Sequence, residues 1–77
     1  MQKIYRIQLD CHDLGQLLSG LEARAEAWEK TAVYHRTGYS PPDFIIEESN
    51  DANEAGRIAN TYRSIIAKIQ KQQEEQS

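Results

Sequence analysis

Two runs of apolar residues at alternating three- and four-residue spacing constrain this chain more than any other feature. The first stripe runs through residues 11–35 and comprises Cys11, Leu14, Leu18, Leu21, Ala25, Trp28, Ala32 and His35. The second stripe runs through 55–69 and comprises Ala55, Ile58, Tyr62, Ile65 and Ile69. This spacing places one side chain per turn on one face of a helix. The sequence therefore predicts two long amphipathic helices.

Local signals predict where these helices begin and end. Asp10 precedes Asp13 by three residues at the head of the first stripe, where a side-chain acceptor can bind free amide groups. Gly38 can adopt the left-handed conformation that closes a helix, and two prolines follow it. Asp51 and Glu54 form a D-x-x-E capping arrangement that predicts the start of the second helix.

The segments outside the two helices have β-type composition. Residues 3–9 alternate so that Tyr5, Ile7 and Leu9 share one side, which is the period-two pattern of a half-buried strand. Residues 43–48 contain a short apolar run between acidic residues. This run fits either a second short strand or an extended segment laid over the helices.

These elements predict a mostly α fold of the α+β kind, a single domain over 1–77. We expect two antiparallel helices, a short N-terminal strand and a frayed tail at 70–77, where the apolar pattern is lost. Further apolar residues flank the two stripes: Leu17, Val33, Ala59 and Ile66. Because each apolar face is then wider than one neighbouring helix can cover, we expect a homodimer or a larger homo-oligomer.

Length and charge narrow the classes of function. A domain of 77 residues buries only about 60% of its unfolded surface, and its single cysteine has no partner for a disulfide. The net charge of −3 provides little positive field to follow a phosphate backbone. No apolar run approaches the length of about 18 residues needed to span a membrane. We therefore expect a cytoplasmic protein without direct contact to nucleic acid or membrane.

Four carboxylates raise the question of a metal site. Glu26 and Glu29 form E-x-x-E, and Glu48 and Asp51 form E-x-x-D. The pattern resembles that of the all-helical MazG-like nucleotide pyrophosphohydrolases, a resemblance that implies magnesium-dependent hydrolysis of nucleoside triphosphates. The alternative is a solvated acidic face, because Glu26 points away from the apolar stripe and Asp51 serves as a helix cap. We favour the solvated face and expect no metal, no cofactor and no catalysis.

The adjacent residues Cys11, His12 and Asp13 do not predict a catalytic triad. At the start of a helix, neighbouring side chains point in different directions and cannot form a relay. Zinc is equally disfavoured, since one cysteine and two histidines 23 residues apart lack the spacing of a ligand pair.

Polar residues of the second helix suggest one candidate binding surface. The candidate ligand-binding residues are Arg57, Thr61, Tyr62, Arg63, Ser64 and Lys68. In an oligomer they can line a pocket for an anionic small molecule such as a nucleotide. The alternative is that they form the solvent-exposed face of the helix and pair with Glu54 and Glu22.

The loop between the helices suggests a second candidate surface. Tyr39, Pro41, Pro42 and Phe44, together with Trp28, are candidates for contact with a partner protein, because aromatic side chains bury large areas and prolines lower the ordering cost of binding. The alternatives are a simple turn for the loop and a core position for Trp28.

A longer pattern spans most of the chain. It reads Leu21-x-x-Arg24-Ala25-x-x-Trp28, then Gly38 and a proline, then Phe44-Ile45-Ile46-Glu47-Glu48, then Asp51-x-x-Glu54-Ala55-x-x-Ile58-Ala59-x-x-Tyr62. The pattern resembles small uncharacterised phage and prophage accessory proteins. This resemblance implies a compact helical protein, often a homo-oligomer, that binds a host protein or sequesters a signalling nucleotide. Because the surplus apolar face comes without catalytic groups, our leading hypothesis is a non-enzymatic homo-oligomeric interaction protein.

Overall fold

Two α-helices form an antiparallel hairpin. The computed structural model describes residues 2–39, 42 and 46–76. Helix α1 spans Cys11–Thr37 and helix α2 spans Ala52–Gln76. The two helices predicted from the apolar stripes are thus confirmed.

A side-chain cap at the N-terminus and a backbone cap at the C-terminus bound α1 at the predicted positions. The Oδ1 atom of Asp10 accepts a hydrogen bond from the backbone N–H of Asp13 at 2.8 Å. At the other end Gly38 has φ +78°, and its N–H donates to the carbonyl oxygen of Tyr34 at 2.7 Å. Glycine adopts this left-handed conformation without the steric conflict that a Cβ would introduce.

Helix α2 begins with the predicted capping box. The N–H of Glu54 donates to Oδ1 of Asp51 at 2.8 Å, and Oε2 of Glu54 accepts a longer bond of 3.4 Å from the N–H of Asn50. These bonds satisfy amide groups that have no partner within the helix. They explain why the helix starts at Ala52.

The core lies where the second half of α1 meets the first half of α2. It consists of Trp28, Ala32, Ala55 and Ala59, with Ile58 and Tyr62 packed against it. Late residues of one helix meet early residues of the other, which defines the antiparallel arrangement. The alanines allow the two helix backbones to approach closely, but they bury little apolar area.

The buried face of α2 is rotated relative to the predicted second stripe. Ile66 is buried, whereas Ile65, a member of the stripe, is 38% exposed. Positions 55, 59, 62, 66 and 69 alternate at four- and three-residue spacing, so they describe a face as regular as the predicted one. Packing against α1 selects between the two faces.

Thr31 is a core residue that the apolar pattern missed. It is fully buried, and its Oγ1 donates to the carbonyl oxygen of Ala27 at 2.8 Å. The same oxygen accepts a hydrogen bond from the N–H of Glu47 at 2.9 Å. One hydroxyl therefore attaches the segment that precedes α2 to the side of α1.

The structure does not show the strand predicted over 3–9. Residues 2–10 form no regular secondary structure, because a strand needs a neighbouring strand to pair its N–H and C=O groups, and no such neighbour is present among the described residues. Of the second predicted strand, at 43–48, residues 43–45 lie outside the described part of the chain. Residues 46–48 have no regular structure.

The hairpin is a single layer of helices. The Cα positions extend over 42 × 33 × 17 Å, and a helix with its side chains is about 10–12 Å across. In this layer α1 and α2 have only each other as helical neighbours, and within the described residues neither helix is long and apolar enough to cross a membrane. Helix α2 continues to Gln76 with its last turns exposed, and fraying of the tail stays a prediction.

Replacement of Thr31 by valine tests the attachment between α1 and the following segment. Thr31→Val keeps the volume but removes the acceptor of the part-buried N–H of Glu47, so we expect a loss of about 0.5–1.5 kcal/mol in the free energy of unfolding. Urea denaturation, monitored by circular dichroism, measures this loss. Thr61→Val is the matched control, because Thr61 bonds the carbonyl of Arg57 in the same way but is exposed. Equal effects of the two changes would refute the role of Thr31.

A pair of glycine-to-alanine changes tests the helix boundary. Gly20 lies inside α1, where an added Cβ meets no described atom within 4 Å, and Gly38 ends the helix at positive φ. We expect Gly20→Ala to stabilise the protein by about 0.5–1 kcal/mol and Gly38→Ala to destabilise it by about 1–2 kcal/mol. Thermal unfolding of both variants measures the difference in sign. A stabilising Gly38→Ala would contradict the assigned helix end.

Candidate interaction surface

An apolar cleft lies at the open end of the hairpin, where α1 begins and α2 ends. Its volume is about 600 Å³. Three parts of the chain line it: the N-terminal segment, the first turns of α1 and the last turns of α2. The lining residues are Tyr5, Ile7, Gln8, Leu9, Cys11, Leu14, Leu17, Ile69, Gln72, Gln73 and Gln76.

The N-terminal segment, residues 2–10, presents its apolar side chains to solvent at this end. Ile4 is 89% exposed, Tyr5 72% and Ile7 76%. Tyr5, Ile7 and Leu9, which share one side of the alternating pattern, all border the cleft, whereas Ile4 and Arg6 do not. Such a concentration of apolar residues on a small protein is typical of an interaction surface.

The backbone of the N-terminal segment is also unpaired within the described residues up to Leu9, whereas the carbonyl oxygen of Asp10 accepts a hydrogen bond from the N–H of Leu14 at 3.0 Å. Residues 2–9 make no backbone–backbone hydrogen bond with any described residue. Asp10, which ends the segment, has extended backbone with φ −75° and ψ 173°. The segment therefore offers both apolar side chains and free N–H and C=O groups.

The central cation of the predicted anion-binding stripe is already paired. Arg63 donates two hydrogen bonds to Glu29, from Nε to Oε2 at 3.0 Å and from Nη2 to Oε1 at 2.8 Å. These hydrogen bonds lower the pKa of Glu29 and raise the pKa of Arg63. A two-bond pair of this kind matches the planar guanidinium to the carboxylate and links α1 to α2.

A second arginine, which sequence analysis did not single out, fixes the segment before α2. The Nη1 atom of Arg24 lies 2.8 Å from Oε1 of Glu47, and its guanidinium lies over the ring of Tyr62 at 5.9 Å. Its interaction with Tyr62, followed by the charge of Glu47, raises the pKa of Arg24. No periodicity links residues 23 positions apart, so local patterns contain no signal for this pair.

The other predicted ligand-binding residues lie on the outer side of α2. Arg57, Thr61, Ser64 and Lys68 are exposed, and the hydroxyl of Thr61 is occupied by the carbonyl of Arg57. Tyr62 is half-buried against the core. None of these residues borders the apolar cleft.

The four carboxylates of the predicted metal alternative are not brought together. Glu29 binds Arg63, Asp51 caps α2, and Glu26 and Glu48 are exposed. In the described part of the chain no group of three or more His, Cys, Asp or Glu side chains is placed to hold a metal ion.

The residues predicted to contact a partner protein are split between core and surface. Trp28 is buried in the core, as its alternative interpretation required, so it offers no surface to a partner. Its indole Nε1 has no acceptor among the described residues. Tyr39 and Pro42 are exposed at the closed end of the hairpin, and Pro41 and Phe44 lie outside the described residues.

Comparison of the chain with protein-family models, with curated proteins and with solved structures finds no match. The class of the protein therefore follows from its own geometry. It is a small two-helix hairpin, and five of the eight exposed large apolar side chains among its described residues lie at its open end.

The Glu29–Arg63 pair predicts a pH dependence of stability. Because the pKa of Glu29 is lower in the folded chain than its ordinary value, the pair contributes stability above that ordinary value and loses it as pH falls through the folded pKa. We expect the difference in unfolding free energy between wild type and Glu29→Gln to be largest at neutral pH and to vanish in acid. Its size is small, because both side chains are 44% exposed.

Urea denaturation between pH 7 and pH 2 measures this difference. Glu26→Gln is the matched control, since it removes a negative charge from the same helix without removing a hydrogen bond. A difference for Glu29→Gln that does not change with pH would contradict the assignment.

Proposed function

We propose that this chain is a non-enzymatic, homo-oligomeric interaction protein and that the open end of the hairpin is its surface of self-association. The proposal is based on the cluster of exposed apolar side chains around the cleft. Tyr5, Ile7 and Leu9 border the cleft and Ile4 lies on the same segment, of which residues 2–9 make no backbone–backbone hydrogen bond with any described residue.

The energetic argument starts from the small core. Burial of one large aliphatic or aromatic side chain contributes about 1.5–3 kcal/mol, and four of the six buried apolar side chains among the described residues are alanines. Total stability of a small domain is only about 5–15 kcal/mol. Covering the open end in an oligomer would therefore add a free energy of stabilisation that is large relative to the stability of a single chain.

The position of the surface suggests how a further partner would bind. The open end and the loop end lie at opposite ends of the hairpin, so self-association at the open end leaves Tyr39 and Pro42 accessible. We propose that a partner protein contacts this closed end. Sequestration of an anionic small molecule has less support, because Glu29 already neutralises Arg63.

Sedimentation equilibrium tests self-association. We expect the wild-type chain, 8.8 kDa, to have at least twice this mass at micromolar concentration. Ile7→Glu places a charge among the exposed apolar side chains and should yield a monomer, because burial of an unpaired charge is strongly unfavourable. Gln2→Glu is the matched control and should keep the oligomer, since it adds the same charge to the same segment at an exposed polar position that does not border the cleft.

Circular dichroism should show equal helix content in wild type and both variants, because neither residue belongs to a helix. A monomeric wild-type chain at micromolar concentration would refute the proposal. An oligomer that is equally sensitive to both substitutions would place the contact elsewhere than on the apolar side of the segment.

A further inference from the structure

The N-terminal segment has the properties of a strand that pairs with a copy of itself. We propose that residues 4–10 of two chains form an antiparallel β-ribbon centred on Ile7 and that this ribbon covers the apolar clefts of both hairpins. This inference rests on the proposed function, because it requires self-association, and it names the contact through which association occurs.

Unpaired backbone provides the first argument. Residues 2–9 use none of their backbone groups in backbone hydrogen bonds within the described part of the chain. An exposed segment with β-branched and aromatic residues and free backbone groups is a template for pairing with another strand. The extended conformation at Asp10 allows the ribbon to continue to the start of α1.

Symmetry restricts the register of such a ribbon. In a two-fold antiparallel pair the axis stands perpendicular to the ribbon, so each residue lies opposite one from the same side of the partner strand. The two position numbers in each opposite pair then have an even sum, so the ribbon is centred on one residue. A centre at Arg6 places two arginines directly opposite each other, which is destabilising. A centre at Tyr5 places Ile7 opposite Lys3, so an apolar side chain faces a cation.

The register centred on Ile7 places compatible side chains opposite each other. Ile7 lies opposite the partner's Ile7, Tyr5 opposite Leu9, and Arg6 opposite Gln8. Aromatic–aliphatic pairs across strands are favourable, and no like charges oppose each other. Tyr5, Ile7 and Leu9 of both strands then share one face of six apolar side chains.

Charge favours a second copy in the antiparallel direction. The segment begins with the cations Lys3 and Arg6 and ends at the anion Asp10, with Asp13 one turn further. Antiparallel pairing centred on Ile7 places Arg6 diagonally across from the partner's Asp10 on the same face of the ribbon. A parallel pair in register would instead place Arg6 beside Arg6.

The cleft fits the apolar face of this ribbon. Tyr5, Ile7 and Leu9 already border the cleft, and its other walls are apolar side chains of both helices, among them Leu17 and Ile69. The strand of the second chain would add its own apolar side chains on the same face. The ribbon would thus supply the second layer that the hairpin lacks.

Disulfide trapping tests the register. The background variant is Cys11→Ser, which removes the chain's one thiol, an exposed one. In this background Ile7→Cys places two thiols directly opposite each other, at a Cα separation of about 4.5–5.5 Å that suits a disulfide. We expect Ile7→Cys to form a covalent dimer under mild oxidation roughly tenfold faster than Arg6→Cys or Gln8→Cys alone, since their like positions are more than about 7 Å apart.

A mixture of the Arg6→Cys and Gln8→Cys chains keeps Ile7 intact and provides the second measurement. These two positions face each other in the proposed register, so the mixture should form covalent heterodimers as fast as Ile7→Cys forms homodimers. Electrophoresis without reductant and mass spectrometry identify the products.

Other outcomes overturn the ribbon in distinguishable ways. Fastest cross-linking of Arg6→Cys alone would show the rejected register, and equal rates at all positions would show that no register is fixed. An oligomeric mass without cross-linking in the mixture would overturn the ribbon but not self-association at the open end. A monomeric mass of the Cys11→Ser background and of the wild type would overturn both.

Discussion

Close contact between two helices, which have no other helical neighbour among the described residues, shapes this protein. Ala32, Ala55 and Ala59 lie at the contact with Trp28, so the helix axes can approach closely while the buried area stays small. A helix in a single layer can bury only the face turned toward its neighbour. Apolar residues beyond that face remain on the surface, and the fold leaves most of them at one end.

Polar contacts hold the two helices in one arrangement. The Arg63–Glu29 pair bridges the helices directly, and Arg24 and Thr31 attach the segment around Glu47 to α1. Exposed ion pairs contribute little net stability. Their effect is to select one alignment of the helices among those that small, similar alanine faces would permit.

The two ends of the hairpin differ in chemistry. At the closed end Gly38 caps α1 through the carbonyl of Tyr34, and the Asp51–Glu54 box caps α2. The open end has an apolar cleft and an unpaired segment. Self-association through the open end, as we propose, would complete the core on the side where one chain leaves it incomplete.

Local sequence determined the helices and their boundaries, because each cap joins residues at most four positions apart: Asp10 to Asp13, Gly38 to Tyr34, and Asp51 to Glu54. The apolar stripes likewise indicated the hairpin and most of its core.

Only the tertiary structure decided which face of α2 is buried, why Thr31 belongs to the core, and which carboxylate each arginine binds. It also showed that residues 3–9 have no strand partner within the described chain. These properties depend on contacts between residues far apart in sequence, and the periodicity of a single segment contains no information about them.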